Sequence, residues 1–316
     1  MSTRTIIALA GLACLFAAIA LPPLWFKLFP AKLPELPPPE TFVSLPSGSR
    51  MHAIIRGDGI PVVLVHGLPG QASEWRSVID LLADKGRRVI AIDRLGYGHS
   101  DPRPGHEFTL EANARDLREL LDALALSDVT VVGWSYGGGT SITAARQQAT
   151  ASAPPRIARI VLVASVGPAG GTDSVPRPPA ATRVLRLVLP WMRSIPPLAL
   201  AGQRSYSTSV LFSDQPPPQW WLDDFAANQF QAKTQRALDG EADQLLAAPV
   251  PDTKGLALPI LVIQGDADRL VPVEVGRGLA AAAPRATFVE VPGGSHMLPI
   301  THPELLAAQI AGFSSP

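Results

Sequence analysis

Six short runs of aliphatic residues constrain this chain more than any other feature: Val62–Val65, Val89–Ile92, Val129–Val132, Ile157–Val163, Ile260–Ile263 and Thr287–Val291. Most of them are apolar at consecutive positions, not alternate ones, which buries both faces of a strand and places it inside a sheet covered by helices. Amphipathic stretches at Ser73–Ala83, Leu110–Leu124, Tyr136–Gln148, Glu274–Ala283 and Pro303–Phe313 fall between or after these runs. The alternation implies an α/β fold with a mostly parallel central sheet and helices on both faces. "TFVSLPSGSRMHAII" (Thr41–Ile55) reads as an antiparallel pair turning at Pro46–Ser49, which opens the domain.

The rhythm fails between about Gly167 and Leu256, where proline, arginine and aromatic clusters replace it, and resumes at "LPILVIQG". An inserted, largely helical cap before the last two strands explains the gap. At the carboxyl ends of the strands it would cover the crevice in which open α/β sheets bind ligands. Within it, Trp220, Trp221 and Phe225, together with Trp134 of the main domain, are candidates to line an apolar substrate pocket; packing of the cap on the main domain is the competing use of the same side chains. Arg183, Arg186 and Arg193 share a helical face interrupted by Pro190, and a solvated basic stripe is the expected reading.

Residues 1–29 form a separate segment. No charge occurs from Thr5 to Phe26, about 22 residues, enough to reach across a ~30 Å hydrocarbon layer. The expectation is an N-terminal membrane anchor with the folded domain on the extracytoplasmic side; the alternative is a signal helix cleaved near Ala20, after Ala18-Ile19-Ala20. Residues 30–40, "PAKLPELPPPE", are expected to be an extended proline-rich linker, leaving 41–316 for the folded domain. The 27 basic and 27 acidic residues cancel, so no global field favours nucleic acid, and a small, apolar molecule is the expected partner. The lone cysteine, Cys14, excludes an intramolecular disulfide and a cysteine-based metal cluster. No metal and no organic cofactor are called for.

The chemistry concentrates at "VVGWSYGGGT" (Val131–Thr140). Gly133-Trp134-Ser135-Tyr136-Gly137 follows a strand and opens a small-residue helix, the context in which Gly-x-Ser-x-Gly forms a tight turn that lifts a serine hydroxyl out of the sheet. A serine needs a base, and the base needs an acid to hold its tautomer. Asp266 and Asp268 follow the Ile260–Ile263 strand, and His296 follows Thr287–Val291 behind Gly293-Gly294.

"HGLPG" (His66–Gly70), "DRLGYGHSD" (Asp93–Asp101), the Ser135 pentapeptide, "GDADRLVP" (Gly265–Pro272) and "GGSH" (Gly293–His296) resemble the motifs of the α/β-hydrolase family, in that family's order. The resemblance runs from about Thr41 to Phe313 and implies an α/β-hydrolase fold. It also implies Ser135 as nucleophile, Asp268 as the acid in preference to Asp266, His296 as general base and acid, and the backbone N–H groups of Leu68 and Tyr136 as an oxyanion hole. The implied activity is hydrolysis of a carboxylic ester, or less readily an amide, through an acyl-enzyme. Acyl transfer to an alcohol or peroxide by the same residues, and a non-catalytic receptor on the same fold, are the alternatives. Serine at the turn argues against the dehalogenase and epoxide-hydrolase branches, whose pattern has aspartate there. His66 is expected to order the Leu68 loop, and the Asp93–Asp101 segment to act as scaffold.

Overall fold

The computed structural model describes residues 34–151, 154–168, 194–213 and 215–314, with 20–22, 24, 25, 27–29 and 32 near the amino end. Two compact units are present. One comprises Glu35–Arg177 and Ser207–Pro316; the other comprises Met1–Pro34 and Pro178–Tyr206.

The larger unit is built on one eight-stranded sheet of β1 (Thr41–Ser44), β2 (Arg50–Arg56), β3 (Ile60–Val65), β4 (Arg87–Ile92), β5 (Val129–Trp134), β6 (Ile157–Val163), β7 (Ile260–Gly265) and β8 (Ala286–Val291). Their spatial order is β1-β2-β4-β3-β5-β6-β7-β8. The first two pairings, β1 with β2 and β2 with β4, are antiparallel, and every pairing from β4 to β8 is parallel. All six expected central strands are present.

Alternate residues of these strands divide the core in two. Val63, Val65, Ile90, Val131, Ile160 and Val262 pack with the helices α2 (Leu110–Ala123), α3 (Tyr136–Ala149) and α7 (Val273–Ala282) on one face. Val62, Leu64, Ala91, Val132, Val161 and Ile263 pack with α1 (Arg76–Asp84) and α9 (Pro303–Phe313) on the other. Each end of such a helix needs a local signal. Thr109 caps α2 by accepting from the Ala112 amide at 3.1 Å, and Pro303 starts α9 where no backbone donor is needed. The helix expected over Ser73–Ala83 is divided: Ala72–Trp75 is a 3-10 turn and α1 begins at Arg76. Glu74 causes the tightening by folding back so that its carboxylate accepts from the Gln71 amide at 3.1 Å.

Between β6 and β7 the described elements are all helices. In the larger unit a π-helical turn (Ser207–Leu211) precedes α5 (Gln219–Gln229) and α6 (Ala232–Ala247). In the smaller unit the described residues include α4 (Pro196–Tyr206). The short α8 (Leu298–Thr301) leads into α9. Among the described residues no helix is long and apolar enough to cross a membrane. Residues 1–19, which carry most of the expected anchor or signal, and Arg183, Arg186, Pro190 and Arg193 of the basic stripe, lie outside the described residues.

The carboxyl-terminal part of the proline-rich segment lies against the domain. The Pro37 carbonyl meets His99 Nε2 at 2.6 Å, the Glu40 amide donates to His52 Nε2 at 3.0 Å, and the Glu40 carboxylate pairs with Arg56 at 2.7 Å. Proline has no N–H to donate, but its carbonyl remains a full acceptor, and that is the group used here.

Candidate active site

Six parallel strands end on one edge of the sheet, so the loops after β3, β4, β5, β6, β7 and β8 share that edge. Ser135 follows β5 at φ 54° and ψ −119°, a left-handed conformation that a non-glycine residue adopts only where its surroundings enforce it. Three backbone hydrogen bonds enforce it. The Ser135 amide donates to Val163 O at 2.9 Å, while its carbonyl accepts from Gly138 N at 3.0 Å and Val166 N at 3.1 Å. The turn needs its glycines for close approach: a Cβ on Gly137 would lie 2.4 Å from Val65 O, and one on Gly133 2.2 Å from Gly137 O.

Asp268 and His296 are brought together. His296 Nδ1 lies 2.8 Å from Asp268 Oδ2, and both side chains are buried. The Asp268 carboxylate is fully occupied: Oδ1 accepts from the amides of Leu270 at 2.9 Å and Val271 at 2.8 Å, and Oδ2 also accepts from Gln264 Nε2 at 2.9 Å. A carboxylate so supplied with donors is held in place facing Nδ1, which leaves Nε2 as the free ring nitrogen. Asp266 has a different partner, the Gly293 amide at 2.7 Å, and so ties the β7 loop to the β8 loop. His296 is attached to the Ser135 turn through Trp134, whose indole Nε1 donates to the His296 carbonyl at 2.9 Å and whose ring centroid is 5.8 Å from the imidazole.

The loop carrying Leu68 lies against the serine. A Cβ on Gly67 would stand 3.0 Å from Ser135 Cβ and 3.5 Å from its Oγ. His66 orders this loop with both ring nitrogens. Nε2 accepts from the Arg94 amide at 2.9 Å, which places the proton on Nδ1, and Nδ1 donates to Gly67 O at 2.8 Å. Burial, reinforced by the Arg94 charge, pushes this imidazole down to about 3, so it remains neutral. Asp93 holds the neighbouring loops, with Ala72 N on Oδ1 at 2.7 Å and both His99 N and His52 Nδ1 on Oδ2 at 2.8 Å. Asp93 thus ties its own loop to the Gln71–Ala72 loop and to β2.

Of the four pocket candidates, Trp134 and Trp221 are buried, and Trp220 and Phe225 are half-buried. Trp221 packs edge-on to Phe212 at 5.2 Å and beside Phe225 at 5.0 Å, with its Nε1 donating to Glu74 at 2.8 Å. The Arg76 guanidinium lies 3.5 Å over the Trp220 ring. Helix α5 is held down by polar contacts as well: Asp224 accepts from Ser73 and Arg76, and Asn228 joins Gly70 O to Gly98 N.

Sequence reasoning missed Gln264, Arg94, Glu241 and Gln244. Gln264 sits at the end of β7 within an otherwise apolar strand, the one local signal among the four. Arg94 and Glu241 meet across 147 residues of chain, which no local pattern announces.

Residues 60–205 match the family model described as alpha/beta hydrolase fold. A non-heme chloroperoxidase of Streptomyces lividans is 32% identical over 81% of this chain and 92% of its own length. A 2-hydroxy-6-oxo-2,4-heptadienoate hydrolase of Pseudomonas putida is 33% identical over 69% of this chain and 75% of its own. Among solved structures, a bromoperoxidase of Bacillus anthracis superposes with a TM-score of 0.69 at 26% identity, covering 86% of this chain and 98% of that one.

Proposed function

We propose, from the premise that this chain belongs to the α/β-hydrolase family, that it is a serine hydrolase cleaving a carboxylic ester of a small, apolar molecule through an acyl-enzyme on Ser135. The observation that carries the reading is the buried His296–Asp268 pair, tethered by Trp134 to the strained turn that bears the serine.

In this reading His296 Nε2 takes the Ser135 proton as Oγ attacks the ester carbonyl, and returns it to the departing alcohol. Asp268 keeps the other imidazole proton on Nδ1 and stabilises the cation formed in between. The carbonyl oxygen, now an anion, receives the amides of Leu68 and Tyr136. Tyr136 is the first residue of α3, so its N–H is one that the helix itself leaves without a carbonyl. Water then repeats the sequence to release the acid. The apolar preference is supported by the core cluster that runs from Trp134 and Met297 to Phe212 and Trp221 without a break. We place the domain outside the cytoplasmic membrane, held by the apolar N-terminal segment.

The test is mass-spectrometric mapping of a fluorophosphonate probe, with Ser135→Ala and His296→Ala as controls. A single adduct on Ser135 that is lost in both controls supports the acyl-enzyme. No adduct on folded protein, with ligand binding retained in Ser135→Ala, would instead establish a receptor. Products formed in the presence of added alcohol or peroxide separate hydrolysis from acyl transfer.

A further inference from the structure

Arg94 is 2% exposed and makes contacts that the proposed chemistry has not yet used. Its Nε donates to His66 O at 3.2 Å, and its Nη2 donates to Gly67 O at 2.8 Å. Its Nη1 faces Asn113 Oδ1 at 3.3 Å. Both terminal nitrogens also meet the carboxylate of Glu241, Nη2 reaching Oε2 at 3.1 Å and Nη1 reaching Oε1. Glu241 lies on α6, has no exposed surface, and accepts in addition from Tyr97 Oη at 2.7 Å and Asn113 Nδ2 at 2.8 Å.

The position of Gly67 O gives this ion pair a meaning beyond packing. The Gly67–Leu68 peptide is trans, since the cis bond of this loop is the following Leu68–Pro69. In a planar trans amide the carbonyl and the N–H point in opposite directions. Whatever holds Gly67 O therefore sets the direction of the Leu68 N–H, the first donor of the oxyanion hole. Two donors hold it, His66 Nδ1 and Arg94 Nη2, each at 2.8 Å. A cation on the carbonyl also polarises the amide and makes its N–H a stronger donor.

The second donor belongs to Tyr136, and its side chain is held from the same two directions. The Arg94 guanidinium carbon is 4.7 Å from the Tyr136 ring centroid, and Tyr136 Oη donates to Gln244 Oε1 at 3.1 Å. Glu241 and Gln244 are three residues apart on α6, hence on one face of that helix. One turn of α6 thus addresses both residues of the hole, Leu68 through Arg94 and Tyr136 directly. As a device for stability alone the pair is a poor choice, because a buried ion pair gains little over well-packed apolar side chains.

We propose that Arg94 is a positioning residue of the oxyanion hole, fixed by Glu241 of the cap, so that the α6 face and the hole form one unit. This rests on the reading of Ser135 as the attacking group. The test compares the parent with Arg94→Met/Glu241→Gln, which removes both charges together and leaves no buried charge unpaired, and with Arg94→Lys, which keeps a charge but not the planar fork. Turnover of p-nitrophenyl acetate, inhibition by a trifluoromethyl ketone, the pH–rate midpoint and the Leu68 amide proton resonance are measured on protein whose fold is verified by circular dichroism.

The expected result in both variants is a kcat lower by about tenfold to a hundredfold with KM unchanged. The ketone weakens by a matching factor, the pH–rate midpoint stays in place, and the Leu68 resonance moves. A folded variant, either one, with parental kcat and parental ketone affinity overturns the proposal, as does a loss of kcat accompanied by a displaced midpoint, which would locate the damage at the base. If the parent itself neither turns over ester nor takes a fluorophosphonate, the acyl-enzyme reading fails. The Leu68 resonance then decides separately whether Arg94 sets the peptide plane.

Discussion

Gly67 brings the neighbouring loop up against Ser135, and its missing side chain is what permits that approach. In Gly67→Ala the new methyl would lie 3.0 Å from Ser135 Cβ, tighter than ordinary contact, so either the serine or the Leu68 amide must give way. The expected outcome is a loss of kcat/KM of about tenfold, less than the hundredfold that a full ~1 Å misplacement costs, with the far-ultraviolet circular dichroism of the parent. Ester kinetics on the purified variant check it. At this scale much of the site was legible. The turn around Ser135 could be read because strand, glycines and helix are contiguous, and His296 because two glycines precede it at a strand end. The choice between Asp266 and Asp268 could not be read from spacing alone. It depends on which carboxylate the Leu270 and Val271 amides face, which only the folded loop shows.

Helices α5 and α6 owe their attachment to polar side chains that reach loops more than a hundred residues earlier. Asn228 is the clearest case: its Nδ2 donates to Gly70 O, and its Oδ1 accepts from the Gly98 amide and Thr234 Oγ1, all buried. Asn228→Ala leaves two backbone groups without partners, and the expected loss of stability is about 1–3 kcal/mol, checked by urea unfolding. Such contacts explain the uneven legibility of the elements. The six central strands are legible because parallel strands buried on both faces must be apolar throughout, a constraint written locally. The stretch between β6 and β7 has no comparable rule. Its helices are amphipathic toward partners that the sequence does not identify, so only the proline run before Gln219 was a usable signal.

For the molecule as a whole, two buried groups shape how stability responds to pH. Burial pushes Glu74 up from 4.5 to about 8, although Trp221 and the Gln71 amide both donate to it. Over that interval the folded state holds a proton that the unfolded chain releases, so stability falls as pH rises. His66 acts in the opposite sense. Its folded value of about 3 lies below the unfolded 6.5, so the unfolded chain binds the extra proton between them and stability falls as pH drops. The two slopes oppose one another between pH 4.5 and 6.5. Above 6.5 Glu74 acts beside Asp116, which burial raises to about 7, and Glu74 contributes a loss of about 2 kcal/mol by pH 8. Glu74→Gln should remove the Glu74 share of that decline, since the amide stands in for the protonated carboxyl that the folded state holds there. Thermal melts of the two proteins at pH 6.5 and 8 check this, and parallel declines would locate the titration elsewhere.

The reach of α6 toward the Leu68 loop and Tyr136 bears on how such enzymes diversify. Caps are usually treated as interchangeable parts that select the substrate while the sheet keeps the rate. Here a transplanted segment between β6 and β7 without an acidic residue to receive Arg94 would strand a buried cation beside the loop that bears Leu68. Chimeras made at the ends of β6 and β7 should therefore recover turnover only when the donor cap carries that acid, which makes position 241 a compatibility mark between the two modules.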